Sequence, residues 1–122
     1  MNYRLIDTTP YPFLECLPDG GIIQSEQDAL DWLALCGERG TDRLMIHASN
    51  LTNAFFDLSS GLAGAILLKF VIYRVKVAAV LTPELVNRGK FREMALETNR
   101  GQDFRIFYER SEAEAWLGGV SA

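Results

Sequence analysis

The chain of 122 residues has two cysteines, one histidine and no long apolar run free of charge. Each scarcity removes a class of function. Cys16 and Cys36 form neither a Cys-x-x-Cys pair nor a dense framework, which excludes a disulfide scaffold. Cys36 falls in a helical apolar pattern and Cys16 in a strand-like run, so both read as small core residues of a reducing compartment. His47 has no second His or Cys near it in sequence, so no metal centre is expected. The apolar run from Gly64 to Leu81 is interrupted by Lys69, Arg74 and Lys76, and Met1-Asn2-Tyr3-Arg4 opens no apolar leader. No membrane span and a cytoplasmic location are therefore expected. A net charge of −4 lacks the basic field that phosphate neutralisation needs, which argues against a general nucleic-acid binder.

The composition, 48% apolar and 23% charged, is that of one globular domain over residues 1–122. Charge is uneven. Through Gly40 there are seven acids, Asp7, Glu15, Asp19, Glu26, Asp28, Asp31 and Glu38, against Arg4 and Arg39. A weakly basic stretch through Lys69, Arg74, Lys76, Arg88, Lys90 and Arg92 reads as a solvated surface.

Strands are expected at Tyr3 to Asp7, Phe13 to Leu17, Arg43 to Ala48, Val75 to Leu81 and Phe104 to Tyr108. Ser25 reads as the cap of a first helix, with Asp28 in a capping-box position and Ala29, Leu30, Trp32, Leu33 and Cys36 at helical spacing. A second long helix is expected between Ala54 and Tyr73 and a third over Lys90 to Asn99, closed by Gly101 in a left-handed C′ position. Ser111 opens a last helix, boxed by Glu114. Trp32 and Trp116 read as core anchors. After the N-terminal strand pair, strands and helices alternate, so the expected fold is α/β: a mostly parallel five-stranded sheet packed against four helices.

His47 ends a predicted parallel strand, where ligands of open α/β sheets gather, and His47, Asn50 and Asp57 are the candidate ligand site. A nucleophilic triad would need Ser59 or Ser60 with His47 and Asp57, without a G-x-S-x-G elbow, so no catalytic set is expected. Gly61-Leu62-Ala63-Gly64 lacks the G-x-G-x-x-G pattern, so no dinucleotide cofactor is expected either. On a helix, Gly61, Gly64 and Ala65 share a small face suited to close packing, beside a ridge of Leu58, Leu62, Ile66 and Phe70. Ser59 and Ser60 suit either a helix N-cap or a phosphoacceptor, because helix N–H groups favour an anion.

Asp57-Leu58-Ser59-Ser60-Gly61-Leu62 resembles the STAS domain of anti-sigma-factor antagonists, in which a serine at a helix start is phosphorylated by a partner kinase. That resemblance implies a STAS-like fold, a regulatory protein partner and Ser59 as acceptor, with Leu58 as an extra residue between the Asp and the serines. Phe55-Phe56-Asp57-Leu58, Gly61-Leu62-Ala63-Gly64, Lys69-Phe70, Tyr73-Arg74-Val75, Glu97-x-Asn99-Arg100-Gly101 and Ala115-Trp116-Leu117 are similar to a small bacterial family of domains of unknown function. The combined expectation is a non-enzymatic regulatory or protein-interaction module. Its alternative is a small-molecule or anion-binding domain with a pocket at the carboxyl ends of the parallel strands.

Overall fold

The computed structural model describes residues 1–119. Its strands are β1 (Tyr3–Ile6), β2 (Phe13–Cys16), β3 (Arg43–His47), β4 (Lys76–Val80) and β5 (Phe104–Phe107). They form one sheet in the order β1-β2-β3-β4-β5, with β1 antiparallel to β2 and the other pairs parallel. The helices are α1 (Glu26–Glu38), α2 (Asn53–Phe56), α3 (Leu62–Ile72), α4 (Pro83–Val86), α5 (Phe91–Thr98) and α6 (Arg110–Leu117).

Because spatial order follows chain order, every right-handed crossover returns on the same side of the sheet. Leu14, Leu44, Ile46, Val77, Ala79, Phe104 and Ile106 therefore meet α1, α3 and α5 in the larger core. The alternate residues Phe13, Met45 and Ala78 point the other way, onto Ala113 and Leu117 of α6.

Among the described residues, six helices replace the expected four. Thr82-Pro83, read as a strand stop, also starts α4: the Thr82 hydroxyl accepts from Leu85 N and proline occupies the first turn. The expected helix between Ala54 and Tyr73 is broken in two. Asp57 leaves helical geometry at φ −97°, ψ 99° and its carboxylate takes the Ser59 N–H, a local bond that competes with the helix. Gly61 then reverses the chain at φ +76°, a region that favours glycine.

Capping differs from end to end. Ser25 caps α1 by accepting from Asp28 N at 3.1 Å, while the Asp28 carboxylate reaches back to Gln24 N at 2.9 Å. The last helix, α6, starts at Arg110, so the box from Ser111 to Glu114 does not form; Glu114 accepts from Arg110 at 3.0 Å instead. Gly101 is not left-handed. Asn99 closes α5 and its side-chain amide bonds both the N–H and the C=O of Ile106. Trp32 is a core anchor, but Trp116 is only half-buried, with Lys76 4.5 Å and Arg105 5.2 Å from its ring centre.

The small face of α3 is also a correction. Ala63, Ile66 and Phe70 are buried, and Phe70 stacks on Phe104 with ring centres 6.1 Å apart. Leu58 and Leu62 pack against this core as partly buried residues. Gly64 instead faces water, and a Cβ there would meet nothing within 4 Å. Burial of the larger side chains turned the glycine outward. Gly64→Ala is expected to stabilise the fold by about 0.5–1 kcal/mol in chemical denaturation, since glycine costs helix entropy with no packing gain here. An unchanged or lower midpoint would contradict an exposed, unstrained Gly64.

Candidate functional site

Glu15 is buried in β2 at 4% exposure, on the α6 face of the sheet. His47 Nε2 lies 2.7 Å from Glu15 Oε2, and Arg110 donates to both Glu15 oxygens at 2.7 and 3.1 Å. Burial pushes the Glu15 carboxyl up, but hydrogen bonds from Arg110 and His47 outweigh it, and the carboxyl rests below its ordinary value. Arg110 is held above its own ordinary range, first through its hydrogen bond to Glu15. One ring nitrogen of His47 is thus committed to a buried carboxylate. Sequence reasoning missed Glu15, although an acid inside Phe13-Leu14-Glu15-Cys16 signals a paired charge.

Asn50 is fully buried. Its amide donates to Leu17 O and Gly21 O, both at 3.0 Å, and its oxygen accepts from His47 N at 2.8 Å. Both amide hydrogens and one lone pair of the oxygen are engaged in tying the β3 end to the turn after β2, at a side chain with no exposed surface to offer a ligand. Cys16 and Cys36 are buried, and burial pushes each thiol up to about 12, so neither is an activated nucleophile.

Asp57 lies elsewhere. It lines a cleft of about 550 Å³ with Asn53, Phe56, Ser59, Arg88 and Lys90, and neither His47 nor Asn50 belongs to that lining. One wall follows β3 and the other follows β4, so the cleft lies beyond the carboxyl ends of two adjacent parallel strands. Asp57 Oδ1 accepts from Ser59 N at 3.1 Å and from Ser59 Oγ at 2.6 Å. Ser60 Oγ donates to Ala54 O at 2.6 Å and accepts from Leu62 N at 3.2 Å, which makes it the structural serine of the pair. Ser59 is exposed.

Across the cleft, Arg88 Nη1 donates to Asn53 Oδ1 at 3.3 Å and its guanidinium stands 6.0 Å from the Phe56 ring centre. Arg88 and Lys90, expected as part of a solvated basic surface, are both exposed and also line this cleft.

The family profile for a domain of unknown function, DUF4180, matches residues 8–117. The chain belongs to that family. Comparison with curated proteins and with solved structures found no match. Among the described residues of this DUF4180 domain, no helix is long and apolar enough to cross a membrane, and no cluster of three metal-ligating side chains occurs.

Proposed function

We propose that the chain is a STAS-like, non-enzymatic regulatory module of a cytoplasmic bacterial protein, with Ser59 as its modifiable position. The exposed Ser59 hydroxyl at the lip of the cleft carries this reading. Phosphorylation would add roughly −1.5 to −2 charges there, next to Asp57 and across from Arg88 and Lys90. The neighbouring carboxylate would lose its hydrogen bond from Ser59 and be repelled, while the cations would attract the phosphate. A binding surface at this position would therefore change. The commitment of His47 to Glu15 and of Asn50 to backbone groups supports a role other than catalysis. The test is a pull-down from the native host with wild type, Ser59→Ala and Ser59→Asp. Ser59→Asp is expected to lose or gain a partner that distinguishes it from Ser59→Ala; identical partners for all three would overturn the switch.

A second reading is favoured by the cleft itself. Arg88 and Lys90 facing Asn53 and Ser59 suit a small organic anion, in a volume usual for ligand sites. Such a ligand is expected to raise the unfolding midpoint of wild type and not of an Arg88→Ala, Lys90→Ala variant. Absence of any stabiliser in a broad metabolite screen would count against it.

A further inference from the structure

The solvent side of α3 has the composition of a buried surface. Between Leu62 and Ile72 its one charged residue is Lys69, whose ammonium lies 3.6 Å from Glu26 of α1. The exposed positions are Gly64, Leu68, Val71 and Ile72, and Tyr73 extends them. Leu68 and Ile72 are each 56% exposed and Tyr73 57%. Spacings of three and four put these residues on one stripe, where a surface helix ordinarily turns polar side chains to water. A contiguous exposed apolar stripe marks an interaction site.

The stripe runs between two grooves. One, of about 480 Å³, lies against α1 and includes Leu30, Asp31, Asp42 and Tyr73. The other, of about 220 Å³, lies against α5 and includes Leu67, Val71, Glu97 and Asp103. Each groove contains two carboxylates and no Lys or Arg in its lining. Cations nearby offset part of this charge: Arg43 lies 3.8 Å from Asp42, Arg100 lies 3.9 Å from Glu97, and Lys76 is close enough to Asp42 and Asp103 to feel the charge of both. Asp31 is bonded only by the neutral Gln27 amide, and Asp103 makes no ion pair among the described residues.

We infer that this face docks a basic amphipathic helix of a partner protein, apolar over Leu68 and Ile72 and cationic along both edges. The inference rests on the interaction-module reading and names the partner's chemistry. Charge complementarity selects this occupant. A second copy would bring its own acidic grooves against these in either twofold arrangement, and an anionic lipid surface would meet the same repulsion. Helix-on-helix packing supplies the geometry, the partner's side chains at i, i+3 and i+4 interlocking with Leu68 and Ile72 of α3.

The test uses the full chain and two helical peptides of equal length, one of Leu and Lys and one of Leu and Glu, read by backbone amide NMR shifts. The Leu/Lys peptide is expected to perturb α3 and the facing edges of α1 and α5, with binding weakened by salt. Leu68→Lys with Ile72→Lys is expected to cut that affinity about tenfold or more. Both positions are exposed, so the unfolding midpoint shows whether the variant remains folded. Asp31→Asn with Asp103→Asn is expected to weaken binding less and to flatten its salt dependence. Equal binding of both peptides, shifts away from α3, or indifference to the Lys variants would overturn the inference. So would a dimer abolished by Leu68→Lys, or flotation with vesicles containing phosphatidylglycerol. Peptide binding that survives alongside unchanged Ser59 pull-downs would discard the switch and keep this surface; the reverse pattern would discard only the surface.

Discussion

Asn50→Ala is expected to lower stability by about 3 kcal/mol and the thermal midpoint by about 10 °C, measured by chemical and thermal denaturation. The side chain makes three hydrogen bonds, two to carbonyls around the turn after β2 and one to His47 N. Alanine removes all three and leaves a small cavity at a site with no exposed surface. Asn50→Asp is expected to do more harm, because a carboxylate would face Leu17 O and Gly21 O with no proton to donate. Ser49→Ala is the local control: the Ser49 hydroxyl bonds Pro18 O from an exposed position and its loss should cost well under half as much. Equal effects at the two sites would refute the clamp.

Arg110→Met is expected to destabilise by about 2 kcal/mol at neutral pH, with a pH signature that identifies the cause. Breaking a buried charge pair costs more than this in a dry interior, but Arg110 is 41% exposed and water screens it. Glu15 is the buried partner, and its carboxyl lies below the ordinary value of 4.5 in the folded state. A depressed carboxylate stabilises the fold above its unfolded value, and that contribution disappears as pH falls through the folded value. Without Arg110 the Glu15 carboxyl loses its largest lowering influence and only the His47 contacts still oppose burial, so its value moves up from that of the wild type. The stability gap between wild type and variant should therefore be full at pH 7 and shrink as pH falls, starting at the variant's higher carboxyl value and closing below the wild type's depressed one, beneath 4.5. A gap independent of pH would assign the loss to packing at the start of α6.

Asn50 and Glu15 present themselves very differently in the sequence. Asn50 follows a strand end and looks available for a ligand; Glu15 is an acid inside an apolar strand run, which signals a paired charge but not which residue pairs it. What separates them from the surface is non-local. Arg110 meets Glu15 across most of the chain, and Asn50 meets Leu17 and Gly21 from the far side of α1 in sequence. Pattern within a window of ten residues carries no information about such partners.

Local order determined the architecture from the sequence alone. Runs such as Leu44-Met45-Ile46 and Val77-Ala78-Ala79 declare central strands, and the Ser25 cap declares α1, because burial and backbone bonding act there at short range. The strand positions, the mostly parallel sheet and the buried cysteines followed. Tertiary structure alone decided which polar groups were already engaged. It committed His47 and Asn50 to structural bonds, gave Asp57 to a cleft that neither of them lines, and brought Arg88 and Lys90 into that cleft with Ser59. It also turned Gly64, Leu68 and Ile72 outward. A helix that is apolar all round offers several faces to a sheet, and its spacing does not choose among them. Packing chose the face with Ala63, Ile66 and Phe70, since those side chains fit against Phe104 and the sheet, and left the remaining apolar face to water.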